Sequence, residues 1–200
     1  IMTGIDIYFS PDDYVFNFEL NKFLILAVLA IFLVPLQTSF EEYMFRGYLM
    51  QGIGNVFKNK WVPLIVTSLI FGLLHIANPE VDKLGNIIMI YYIGTGFFLG
   101  ILTLMDDGME LALGFHAANN LFTALLVTAD WTAFQTYSIY KSVADPLTMG
   151  VSEIIIPVFV IFPILLFIFS KKYNWNNWFN KLAGPVKDIS VAEDDIWSKR

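Results

Sequence analysis

Long apolar runs, broken by short polar clusters, organise this chain of 200 residues. Five of the runs approach the roughly 20 residues that a helix needs to cross a hydrocarbon core of about 30 Å. The first, residues 23–40, carries no charge and contains Pro35, which predicts a kink. The second, residues 61–77, is short and lies between Lys60 and the cluster Asn78-Pro79-Glu80. The third, residues 84–105, places Gly96 and Gly100 four apart, the small-xxx-small spacing that lets helices approach closely. The fourth follows the helix-start signal Asp106-Asp107-Gly108 and covers residues 109–129. The fifth, near residues 148–170, holds Glu153, Pro157 and Pro163 and ends on Lys171-Lys172. The pattern predicts an all-α fold: a polytopic transmembrane helix bundle of about five spans.

Composition supports that class. Apolar residues make up 56% of the chain and charged residues 15%, against about 25% charged in a soluble domain. The net charge of −6 argues against a nucleic-acid partner, which would want a basic face. The chain has no cysteine, so a disulfide framework, a thiolate nucleophile and a Cys-based zinc site are excluded.

Orientation follows from the placement of Lys and Arg. With the first span entering from outside, the inner segments hold nine basic residues: Arg46, Lys58, Lys60, Lys171, Lys172, Lys181, Lys187, Lys199 and Arg200. The outer segments then hold three: Lys22, Lys83 and Lys141. The bias predicts an external N-terminal segment and a cytoplasmic C-terminus. Residues 1–22 read as an extramembrane segment without signal-peptide features, residues 23–172 as the membrane core, and residues 173–200 as a tail. In that tail, Tyr173, Trp175 and Trp178 read as an interfacial aromatic belt, and the polar stretch from Gly184 onward as mobile. The chain opens on Ile1, so a processed or truncated product is expected.

Ionisable side chains inside spans cost about 2.5–3.5 kcal/mol on insertion scales and point to function. Here they form a short set. Glu41, Glu42 and Arg46 continue the first helix, His75 lies near the end of the second span, and His116 and Asn120 lie one turn apart on the fourth. At 1.5 Å per residue, Glu41 lies about 15 Å from the inner surface, His75 about 21 Å, His116 about 12 Å and Asn120 about 18 Å. Matching depths permit one buried site. Glu42 and Arg46 are spaced i, i+4 with the acid first, which suits a structural ion pair that fixes helix register. Glu153, close to a span end, reads as reaching the outer interface.

A carboxylate beside a neutral imidazole in a poorly solvated cavity can activate water. A second imidazole and a carboxamide can donate hydrogen bonds to a developing oxyanion. Glu41, His75, His116 and Asn120 supply both halves of such a hydrolase. Neither a Gly-x-Ser-x-Gly elbow nor a His-Glu-x-x-His zinc helix is present. A zinc site built from Glu41, His75 and His116 remains the alternative to a metal-free one.

The three motifs Glu41-Glu42-x-x-x-Arg46, Phe71-x-x-x-His75 and His116-x-x-x-Asn120, in that order, resemble those of the CPBP (also called ABI) family. That family includes the type II CAAX prenyl endopeptidases and bacterial relatives linked to bacteriocin processing or self-immunity. The resemblance covers residues 40–126. It implies Glu41 as the catalytic acid, acting with His75 on the attacking water. It implies Glu42 and Arg46 as the supporting pair, His116 and Asn120 as oxyanion-stabilising residues, and Phe71 as an aromatic that shapes the pocket. It also implies helices upstream of this chain, and both metal-dependent and metal-free members are described. The expectation is therefore an intramembrane endopeptidase of a bacterial cytoplasmic membrane, acting on membrane-associated peptides, prenylated or not. Its competitors are a bacteriocin leader-processing protease, a non-catalytic self-immunity protein and a proton-relay transporter. The transporter lacks an internal repeat in its favour.

Overall fold

The computed structural model describes residues 2–148 and 150–186. The polar tail beyond residue 186, with Lys187, Lys199 and Arg200, lies outside the described residues. The chain is a helical bundle. Helix α1 (Met2–Phe9) precedes α2 (Leu20–Glu42), which runs through a π-helical stretch, Tyr43–Leu49, into α3 (Met50–Phe57). Then come α4 (Trp61–Leu73), α5 (Pro79–Leu84), α6 (Met89–Asp106) and α7 (Glu110–Leu126). After a connector, α8 (Val151–Ile156) continues through a second π-helical stretch, Pro157–Ile161, into α9 (Phe162–Lys172), and α10 (Trp178–Ala183) is the last helix among the described residues.

Among the described residues three helical stretches are long and apolar enough to cross a membrane: Leu20–Phe57, Asn86–Asp106 and Val151–Lys172. The other two expected spans are shorter helices packed among them. At thirteen residues α4 reaches about 20 Å, and at seventeen residues α7 reaches about 25 Å. The second apolar run ends as a helix at Leu73, and Asn78, held by the following Pro79, has an extended backbone, φ −69° and ψ 144°. Residues 74–77 become turns, so His75 sits just beyond the helix rather than within it.

Packing of α4 on α6 depends on glycine. An added Cβ at Gly96 would lie 2.8 Å from the Ser68 carbonyl oxygen and 3.0 Å from Ser68 Cα. One at Gly72 would lie 2.9 Å from the Ile93 backbone nitrogen. The expected close approach is thus present, and Gly96 and Gly72 both serve it. Phe45, Phe71, Phe98, Leu99, Leu102, Ala112 and Phe162 form the buried core. Phe98 stacks on Phe162 with centroids 4.5 Å apart. By contrast Leu24, Val28, Phe32 and Leu36 of α2 are exposed, as are Phe159, Ile164 and Phe167 near α9. An apolar exterior over an apolar core is the signature of a protein dissolved in lipid. The chain is a membrane protein.

Two features outside the spans were not legible in the pattern. Strands β1 (Tyr14–Phe16), β2 (Val127–Thr128) and β3 (Tyr140–Ser142) form a small sheet in the order β1-β3-β2. Its antiparallel pairing of Tyr14 with Ser142 and Phe16 with Tyr140 ties the N-terminal segment to the connector after α7. At the other end, Gly184 to Val186 are paired where a free tail is expected. The Lys60 N–H donates to the Gly184 carbonyl at 3.1 Å, and the Val186 N–H to the Lys58 carbonyl at 3.1 Å. Trp175 Nε1 also donates to Asp106 Oδ1 at 3.2 Å, so this belt residue anchors the end of α6. Glu153 lies in the first turn of α8, where its Oε1 accepts the Gly150 N–H at 3.2 Å.

Candidate active site

Adjacent residues on a helix point about 100° apart, so neighbouring acids face different surroundings. Glu42 turns into the bundle and has no exposed side-chain surface, whereas 23% of the Glu41 side chain is exposed. Arg46, equally buried, donates Nη1 to Glu42 Oε1 at 3.1 Å and Nη2 to the Gly96 carbonyl at 2.9 Å. Its guanidinium also lies over the Phe71 ring, 4.7 Å from the centroid. The pair occupies the junction where α2 gives way to the π-helical stretch, a distortion often found at functional sites.

His116 of α7 completes the cluster. Its Nδ1 lies 2.7 Å from Glu42 Oε1, and its Nε2 lies 3.7 Å from Glu41 Oε2. Glu42 therefore does more than balance Arg46, because it also orients the imidazole that faces Glu41. The other oxygen of Glu41 accepts from Gln37 Nε2 at 3.1 Å, one turn earlier on α2. A carboxylate held on one side by an amide and adjoining an imidazole on the other can accept a proton in one direction.

His75 joins the cluster through Phe71. The His75 N–H has been drawn to the Gly72 carbonyl at the end of α4, which frees the Phe71 carbonyl from its usual helical donor. His75 Nδ1 takes that place at 2.8 Å. A carbonyl only accepts, so Nδ1 carries the proton and Nε2 of a neutral ring is the acceptor. The Phe71 ring lies between the two histidines, 5.1 Å from His75 and 5.8 Å from His116. Asn120 follows His116 by one turn, and its Oδ1 accepts from Asn119 Nδ2 at 3.3 Å. Among the described residues no hydrogen bond links His75 or Asn120 to Glu41.

Sequence reasoning missed four participants. Gln37 stands out in retrospect as the amide one turn before Glu41 in an otherwise apolar run. Gly96 reads as a packing residue, and its carbonyl partnership with Arg46 leaves no trace in the pattern. Tyr92, stacked on His75 with centroids 4.4 Å apart, resembles any aromatic near a membrane interface. Glu80 reads only as the boundary of a span.

Among the described residues Glu42 Oε2 is buried without a protein donor, a feature that a cation could answer. Arg46 already supplies positive charge to that carboxylate. Among the described residues no three His, Asp or Glu side chains group as metal ligands.

Residues 20–122 match the family described as type II CAAX prenyl endopeptidase Rce1-like. The chain is also 38% identical over 125 residues to the uncharacterized protein YyaK of Bacillus subtilis (strain 168). That alignment covers 62% of this chain and 42% of the relative, so the chain spans under half of the relative's length. No solved structure matches.

Proposed function

The chain belongs to the type II CAAX prenyl endopeptidase Rce1-like family, and we propose that it is an intramembrane endopeptidase hydrolysing membrane-associated peptides with a water activated by glutamate and histidine. One observation carries the reading: Glu41 and Glu42, adjacent on α2, meet the two nitrogens of His116 at 3.7 and 2.7 Å.

The chemistry assigns each group one task. Glu41 takes a proton from the attacking water as its oxygen adds to the scissile carbonyl. His75, with Nδ1 donated to Phe71, offers Nε2 to orient that water. The carbonyl oxygen becomes an oxyanion, stabilised by the Asn120 amide and by a protonated His116. As the C–N bond breaks, Glu41 returns its proton to the departing amine. Glu42 and Arg46 hold the frame.

The substrate is a peptide presented at the membrane, with a prenylated CAAX-like C-terminus as its most specific form. A bacterial cytoplasmic membrane with the C-terminus inside accords with the basic residues at Lys58, Lys60, Lys171 and Lys172. The test is reconstitution in vesicles with a farnesylated CAAX peptide and its unprenylated counterpart, with products read by mass spectrometry. Cleavage that Glu41→Gln removes supports the reading. Cleavage of neither peptide, nor of a leader peptide from a neighbouring gene, would leave self-immunity by binding as the better account.

A further inference from the structure

A residue in a turn lacks the rigid backbone of a helix to aim its ring. His75 is such a residue, and two contacts replace the helix. One is Nδ1 on the Phe71 carbonyl at 2.8 Å. The other is Tyr92 of α6, against which the imidazole lies nearly flat, with 21° between the planes. Tyr92 is in turn fixed at its far end. Its hydroxyl donates to Glu80 Oε1 and accepts from Asn78 Nδ2 at 3.2 Å. The second Glu80 oxygen accepts the Ala133 N–H at 2.9 Å, which attaches the connector after α7 to the same clasp. Asn78 and Glu80 flank Pro79, so the clasp closes around the turn that carries His75.

We propose that Tyr92 is the positioning residue for His75. Its ring sets the plane of the imidazole, and the Glu80–Asn78 clasp sets the place of that ring. The proposal rests on the endopeptidase reading, in which His75 orients the attacking water. Tyr92 itself touches no reacting atom. A platform that fixes ring and tautomer before substrate arrives spares the reaction the reorganisation of a mobile turn.

The chain has two histidines, so imidazole nitrogen spectra of histidine-labelled full-length chain in detergent contain only two rings. His75→Gln assigns them. In the wild type His75 is expected as a single Nδ1–H tautomer. Tyr92→Leu should replace that signature with an average of tautomers and leave the His116 signals in place. On farnesylated peptide the same variant should lose roughly 10- to 100-fold in kcat with little change in KM. Tyr92→Phe keeps the ring and loses the clasp's hold on it, so it should fall between the wild type and Tyr92→Leu in both tautomer signature and kcat.

Three results would overturn the proposal: Tyr92→Leu without effect on the His75 signals, Tyr92→Leu disturbing both histidines alike, or Tyr92→Phe as damaging as Tyr92→Leu. The spectra do not depend on activity. A wild type that cleaves nothing therefore defeats the endopeptidase reading, and with it the catalytic purpose of the platform, while the spectra still decide whether Tyr92 holds the ring.

Discussion

His116 Nδ1 and Glu42 Oε1 lie 2.7 Å apart although 74 positions separate them in the chain. The same oxygen accepts from Arg46 Nη1 at 3.1 Å. A single buried oxygen thus joins the first long helix to α7 and decides which His116 nitrogen is turned toward Glu41. Glu42 is as much a part of the site's geometry as of the helix's stability.

The two neighbouring acids should therefore fail in different ways. Glu41→Gln is expected to lower cleavage by about 10²- to 10⁴-fold, the range for loss of a general base, with unchanged thermal unfolding. Glu42→Gln is expected to lower stability by about 3 kcal/mol or more, because Arg46 and His116 both lose a buried carboxylate. Unfolding in detergent and peptide cleavage, measured on the same preparations, separate the two. Equal activity of wild type and Glu41→Gln would remove the catalytic assignment.

Gly96 supports both a helix contact and an ion pair. A Cβ there would meet Ser68 backbone atoms at 2.8 and 3.0 Å, and backbone cannot swing aside. Gly96→Ala should cost about 1–3 kcal/mol by forcing α4 away from α6. Gly114→Ala, with nothing within 4 Å of the added methyl, should cost nothing measurable. Thermal unfolding that ranks Gly114→Ala as the more harmful would contradict the packing.

Topology is directly measurable. A reporter fused after Lys60 or after Lys172 should read cytoplasmic, and one inserted at Asp82 should read external. The excess of Lys and Arg on one side motivates this expectation. A reversed pattern would place the site at the opposite surface.

Metal dependence is the fourth test. Purified active protein should contain well under one equivalent of zinc and should retain cleavage after thorough chelation. The motivation is that zinc held by Glu41, His75 and His116 would leave no carboxylate free as general base unless Glu42 gave up Arg46. One tightly bound equivalent, with activity lost on stripping and regained with zinc, would make these side chains ligands.

The motifs were legible for a physical reason. Charged and imidazole groups in long apolar runs are costly, so each one draws notice, and helical rise alone brought Glu41 and His116 to similar depth. Other features leave no such mark. That His116 would claim Glu42 depends on how α2 and α7 face each other, which periodicity does not encode. His75 lies in the turn after its helix, and its stacking on Tyr92 follows only from that turn. The sheet escaped notice because its longest strands have three residues, too few for alternation to register.

Glu42 and Arg46 lie four residues apart on one unbroken helical stretch, Leu20–Phe57. Their match needs no second helix. During synthesis this stretch can pass into lipid with Glu42 and Arg46 already neutralised by each other, before the segments bearing His75 and His116 pack against it. Delivery to the bilayer is thereby independent of assembling the reaction centre, and the later helices arrive at a frame that already stands.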